Sequence, residues 1–224
     1  MKKDDGRLLP RDHFSWTQLN IWCKSKEQYR RRYFVPESPE WDSRETIFGK
    51  KIAKILEDRK FDESGHGGLK EVVEGFETSE HPVRVEVCGV MIKAYIDLYR
   101  KETHTFKEIK TGHKSLSGVL PWNKARVVAH DQLPFYSMII KEAEGSVDPW
   151  CSLEWLETEF ARNERAFDGK ILVDLGDGEL RLTGKMETFR RRIAQWEHKR
   201  IKNMIEQVIG EISEDYASWR AHAS

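Results

Sequence analysis

Asp97, Glu108 and Lys110 are the residues of this chain whose types and spacing best suit chemistry. They lie in segment 89–112, which reads as two strands joined by the polar turn Lys101-Glu102-Thr103-His104. A symmetric turn pairs Arg100 with Thr105, and the same register sets Asp97 opposite Glu108 and Tyr95 opposite Lys110. Opposed residues share a sheet face with Cβ atoms about 5 Å apart. Lys110, two residues beyond Glu108, projects from that face as well. Two like charges facing each other destabilise a strand pair unless something neutralises them. A divalent cation does so, and oxygen-only donors favour Mg²⁺ or Mn²⁺. Such an ion polarises a phosphoryl oxygen and acidifies a bound water, while Lys110 would hold the attacking water or offset charge building on a phosphate. The alternative is an ordinary hairpin whose Asp, Glu and Lys form a surface ion pair. A one-residue slip would send the two carboxylates to opposite faces.

Other residues stand where they can support this trio. Glu57 lies eight residues after Gly49, on a helical stripe of Ile52, Ile55 and Leu56 that ends near Arg59, and offers a third carboxylate. Gln132 and Tyr136, at i and i+4, share one helix face. Thr111-Gly112 reads as the loop exit from the hairpin towards that helix.

The elements that must position these residues follow from periodicity. Ser15 with Gln18 is a capping-box pattern opening a helix through Leu19, Trp22 and Arg30–Arg32 that stops before Pro36, with Pro36 and Pro39 in a loop. Residues 62–70 read as loop. Val83, Val85 and Val87 alternate as a strand. In the next strand Ile92, Ala94, Ile96 and Leu98 take one face, and Lys93, Tyr95, Asp97 and Tyr99 the other. Residues 124–143 are helical in pattern, with Pro134 either in a first turn or at a kink. Residues 150–160 read as a strand, and 171–173 with 180–182 as a hairpin around Gly176-Asp177-Gly178. The tail reads as one long helix from Phe189 to Trp219, with Trp196 and Trp219 in its buried stripe. No repeat or linker is visible, so residues 1–224 form one α/β domain with a mostly antiparallel strand group flanked by helices.

Composition bounds the function. The 224 residues carry 38 Lys+Arg against 38 Asp+Glu, so any nucleic acid must meet a local basic surface. Apolar runs of about five residues are far short of the roughly 20 needed to span a bilayer, and the N-terminus lacks the apolar region of a signal peptide. Cys23, Cys88 and Cys151 are too few and too scattered for a disulfide framework. The expectation is a cytoplasmic protein that does not enter membranes.

Taken in chain order, Ser15-Trp16-Thr17-Gln18-Leu19, Gly49 with Glu57, Ile96-Asp97, Glu108-Ile109-Lys110-Thr111-Gly112 and Gln132-Leu133-Pro134-Phe135-Tyr136 resemble the PD-(D/E)XK nuclease superfamily. The resemblance is to its RecB-like branch, which includes Cas4 and phage exonuclease-like proteins; the last group resembles that branch's QxxxY motif. It spans roughly residues 14–140 and implies a restriction-endonuclease-like core, a mixed sheet flanked by helices, with the catalytic part at about 45–145. It further implies a Mg²⁺- or Mn²⁺-dependent nuclease acting on DNA in processing, recombination or repair, with exonuclease action first. Asp97, Glu108 and the main-chain carbonyl of Ile109 would hold the metal, Lys110 would assist the water, and Gln132 and Tyr136 would support the lysine or the DNA backbone. Ile96 stands where the superfamily name puts proline, and Ala53 stands where RecB-like helices often carry a metal-binding His, leaving Glu57 as the extra ligand. Some relatives hold an iron–sulfur cluster on four cysteines; three cannot supply one, so none is expected.

Candidate DNA contacts are Arg30 and Arg31 (with Arg32), Lys114, Lys124 and Arg126, and the triplet Arg190–Arg192. Each is equally readable as a solvated face. Trp16, Trp22 and Trp122 are available for base stacking. The apolar rows of the tail helix suit either the core or a contact with a second copy or a recombination partner protein. Two other functions stay open: a DNA-binding or scaffold subunit with a nuclease-like fold and little turnover, and an endonuclease of a defence or CRISPR-adaptation system.

Overall fold

A computed structural model describes residues 8–35, 43–61, 68–114, 120–145, 148–160, 163–167, 170–174 and 180–223, with the backbone alone for 163–167 and 170–174. The loop expected at Pro36 and Pro39, most of the 62–70 loop and the Gly176-Asp177-Gly178 turn lie outside the described residues. The expected first helix is two. α1 (Trp16–Lys24) and α2 (Lys26–Tyr33) meet at Ser25, whose hydroxyl accepts the Gln28 amide and caps the second helix. Ser15 caps α1 as its spacing suggests, but Gln18 does not reach back to it. Its buried side chain instead donates to the His13 carbonyl and accepts from Tyr29 Oη. α3 (Arg44–Asp58) is followed by a short α4 (Leu69–Val73), which periodicity did not indicate.

Then come β1 (Thr78–Val87), β2 (Val90–Arg100) and β3 (Thr105–Gly112). The 124–143 helical pattern divides into α5 (Lys124–Ala129) and α6 (Gln132–Glu144), with Pro134 in the first turn of α6, where its missing N–H costs no hydrogen bond. The remaining elements are β4 (Trp150–Phe160), β5 (Asn163–Phe167), β6 (Lys170–Asp174), β7 (Leu180–Arg192) and α7 (Gln195–Ala223). Two expectations at this end fail. Residues 171–173 pair with β5, not with 180–182, which pair with β4. Phe189 belongs to a strand, so α7 starts only at Gln195, and Trp196 on its first turn is 66 % exposed instead of buried.

The main sheet has the order β1-β2-β3-β4-β7; β3 and β4 are parallel and every other neighbouring pair is antiparallel. This is an α/β fold with a five-stranded mixed sheet flanked by helices and closed by a long C-terminal helix, as expected. Neighbouring residues of β4 point to opposite faces: Trp155 joins a cluster built with α1, α2, α6 and α7, and Leu156 joins a smaller one built with α3 and α4. Ile201, Ile205, Val208, Ile212 and Tyr216 of α7 belong to the first cluster, so the apolar stripe of the tail helix lies in the core of this chain. Among the described residues no helix is long and apolar enough to cross a membrane.

Candidate active site

The 101–104 turn sets the predicted register, with Arg100 opposite Thr105, Tyr99 opposite Phe106 and Leu98 opposite Lys107. The ladder stops there. β2 continues along β1 as far as the Val87–Val90 pair, while β3 continues along β4 as far as Gly112–Glu157. The sheet therefore forks one residue past Leu98 and Lys107, and Asp97 and Glu108 sit at the fork. The opening frees the Ile109 amide from the β2 ladder, and Asp97 Oδ2 accepts it at 2.6 Å. A carboxylate thus replaces a backbone acceptor, as the obligatory pairing of a buried N–H requires.

The strict alternation expected along β2 breaks at the same place. Ile92, Ala94 and Ile96 join the larger cluster, but Leu98 joins the smaller one and Tyr99 the larger. The cause lies in β1, where Glu80 has φ = 50° between the paired residues Ser79–Leu98 and His81–Ile96. A non-glycine residue in the left-handed region is uncommon in a strand and shifts the pleat locally.

Glu108 is the hub of the fork. Its side chain is 3 % exposed, and its Oε1 accepts from Lys110 Nζ at 2.6 Å and from Gln132 Nε2 at 2.7 Å. Gln132 Nε2 also lies 2.9 Å from Tyr136 Oη, so the shared helix face of Gln132 and Tyr136 is used to hold the carboxylate directly. Glu108 Oε2 is buried and has no hydrogen-bond partner among the described residues. Burial, then the neighbouring Glu108, raises the Asp97 carboxyl well above the usual carboxylate range. Burial alone would pull the Lys110 ammonium down, but Glu108 and Asp97 together overcome it and leave its pKa raised. Burial, followed by Glu108, also raises the Tyr136 phenol.

These groups open onto a cavity of about 440 Å³ walled by α3 (Glu45, Thr46, Gly49, Lys50, Ile52, Ala53, Leu56) and by Glu80, Asp97 and Glu108 to Thr111. Glu57 does not line it; that carboxylate is half exposed and pairs with Lys54 at 2.9 Å, one turn beyond Ala53. Glu80, absent from the sequence-based set, does line it. A readable signal pointed there: the two-residue turn Cys88-Gly89, with φ of 53° and 73°, is a hairpin loop that pairs Val87 with Val90 and hence sets Glu80 against Asp97.

The lining suits a divalent cation on two counts. Its four carboxylates and two ammonium groups leave a formal net charge of −2, and Glu108 Oε2 is a buried acceptor in want of a partner. Among the described residues no three His, Cys, Asp or Glu side chains are already gathered around one point as a finished cage. Larger clefts of about 740 and 760 Å³ beside Phe76 and Arg100 are less suited: the carboxylates of the first (Glu71, Glu74, Glu77 and Glu102) are exposed, and the buried carboxylate of the second, Glu154, is satisfied by Lys107 at 3.0 Å and by Thr188.

The basic residues expected to meet DNA are dispersed. Arg30 is held by Asp215 of α7 through two bonds of 2.7 and 2.8 Å, and Arg31 pairs with Glu27 at 2.5 Å. Lys114 pairs with Glu157 at 2.8 Å, and Arg126 donates to the Pro121 carbonyl. Lys124 is exposed on the first turn of α5. None of the five lines the cavity, whose cationic members are Lys50 and Lys110. Trp22 is buried and donates to Glu211, while Trp16 and Trp122 pack on the ring of His130 at centroid distances of 5.8 and 4.9 Å.

No protein-family model matches the chain, and no curated protein matches it in sequence. Solved structures share its fold. A protein of Eubacterium rectale provisionally described as an exonuclease superposes with a TM-score of 0.55 at 11 % identity, covering 92 % of this chain and 82 % of its own. A phage-related exonuclease of Haemophilus somnus 129PT superposes with a TM-score of 0.52 at 14 % identity, covering 89 % and 82 %.

Proposed function

We propose that this protein is a Mg²⁺- or Mn²⁺-dependent nuclease that hydrolyses phosphodiester bonds in DNA, acting from ends, with its centre at Asp97, Glu108 and Lys110. One observation carries the reading: the sheet forks where two carboxylates meet, leaving Glu108 Oε2 buried and without a partner among the described residues, beside an ammonium group at an open cavity. The fold shared with exonuclease structures and the resemblance to RecB-like nucleases point the same way.

Asp97, Glu108 and the Ile109 carbonyl would hold the ion, which when bound supplies a Lewis acid and a more acidic water. Lys110, kept protonated by Glu108 and Asp97, acts as a donor and not as a base. Its ammonium orients the attacking water and offsets charge on the phosphate oxygens as the P–O bond to the departing sugar oxygen breaks. Gln132 fixes the Glu108 carboxylate, and Tyr136 fixes Gln132. The two-sided grip on Oε1 leaves Oε2 as the free donor atom of that carboxylate.

The test is degradation of linear and covalently closed circular DNA with Mg²⁺ or Mn²⁺, comparing wild type with Asp97→Ala and Lys110→Ala. Metal-dependent loss of linear DNA that disappears in both variants supports the reading, and activity surviving both substitutions ends it. Cleavage of closed circles would replace end-directed action with endonuclease action. A second reading, a DNA-binding subunit of nuclease fold with little turnover, is favoured by Ala53, which lines the cavity without offering a donor atom.

A further inference from the structure

Glu80 is a half-buried carboxylate on the cavity wall with no hydrogen-bond or ion-pair partner among the described residues. Leaving such a group unpaired is costly, and its backbone adds to the cost by holding φ at 50°. Both costs fall on a residue set against Asp97 by the register of β1 and β2, in the cavity that also contains the unpartnered Oε2 of Glu108. Across the cavity Ala53 presents only a methyl group. Glu45 of the same helix also lines the cavity but is exposed on the first turn and bonded to the Ser43 hydroxyl, so α3 brings no buried carboxylate to this wall, and β1 brings one from the other side.

We propose that Glu80 is the third carboxylate of the divalent-cation site formed with Asp97 and Glu108, taking the place of a donor from α3. The proposal rests on the function argued above. Asp97 Oδ2 and Glu108 Oε1 are committed to internal hydrogen bonds, so those two side chains retain one free oxygen each. Glu80 retains two. The three carboxylates are not yet gathered around one point, and an arriving cation draws in the Glu80 side chain, directly or through a bound water. The lining without Glu80 would carry a formal charge of −1; with it the charge is −2, which a divalent ion neutralises.

Mn²⁺ binding, followed by calorimetry and by the loss of the free-ion electron paramagnetic resonance signal, tests this without reference to turnover. Glu80→Gln, nearly isosteric, should raise the Mn²⁺ dissociation constant about 10- to 100-fold. Glu80→Gly, which removes the carboxylate and accepts the left-handed backbone, should weaken Mn²⁺ to the same degree while unfolding no earlier than wild type. Asp97→Asn serves as the control. If wild type binds no Mn²⁺, the function proposed above fails. If wild type binds and Asp97→Asn does not, but Glu80→Gln and Glu80→Gly bind as tightly as wild type, only the role of Glu80 is overturned.

Discussion

Replacing Gln132 with Leu removes the neutral side chain that, among the described residues, grips Glu108, while keeping nearly the same volume in α6. Glu108 Oε1 would keep only Lys110, and the Tyr136 hydroxyl would lose its partner at 2.9 Å. A hydrogen bond to a charged group contributes about 1.5–3 kcal/mol, and an orphaned neutral hydroxyl costs about 1 kcal/mol or more. The loss should therefore be about 3 kcal/mol, which for a chain of this size lowers the melting temperature by about 6–12 °C. Tyr136→Phe alone should cost about 1 kcal/mol. In the Gln132→Leu background it should cost close to nothing, because the hydroxyl is already unpaired, giving a coupling of about 1 kcal/mol. Urea unfolding of the four proteins of this cycle at pH 7.5 measures each value. A Gln132→Leu loss below about 1 kcal/mol, or effects additive to within about 0.5 kcal/mol, would show that the Gln132–Glu108–Tyr136 contacts do not act as a unit.

Other outcomes follow from the same structure. Lys107→Met strands the buried Glu154 with Thr188 as its remaining partner; a loss of about 3–5 kcal/mol is expected, recovered in large part by adding Glu154→Gln, both read from urea unfolding. Burial, then Lys110, lowers the His130 pKa from 6.5 to about 4. The unfolded chain takes up that proton first, so the stability from His130 is present above pH 6.5 and is lost as the pH falls through this window. The loss amounts to about 1.4 kcal/mol per pH unit before solvent screening is discounted. Unfolding curves at pH 7, 6, 5 and 4.5 should show a shallower acid decline in His130→Phe, and equal slopes would refute the assignment.

Local patterns reached far into this protein. The cap at Ser15, the first-turn option for Pro134 and the 101–104 turn with its three-pair register are readable, because each depends on residues close in sequence, whereas the mixed sheet was implied by the family resemblance alone. The split of the first helix at Ser25 was readable too, since Ser25 with Gln28 repeats the capping spacing of Ser15 with Gln18. Phe189 and Trp196 misled because period 3.6 and period 2 are hard to separate where a strand runs almost directly into a helix. The sign of each charge at the fork is likewise a matter of sequence: two carboxylates, an ammonium, an amide and a phenol, in that order along the chain.

Composition and spacing by themselves determined which side chains were available for this site and the register in which the β2–β3 turn started them. Tertiary structure alone decided where that register ended. β3 parts from β2 after Lys107 while staying paired along its other edge with β4, its parallel partner more than 40 residues further along the chain. The parting opens the fork and frees the Ile109 amide for Asp97, α6 sets Gln132 against Glu108, and the cavity wall takes in Glu80 and not Glu57. A turn dictates pairing only next to itself; how far two strands stay together depends on what each one packs against, and those partners come from distant parts of the sequence.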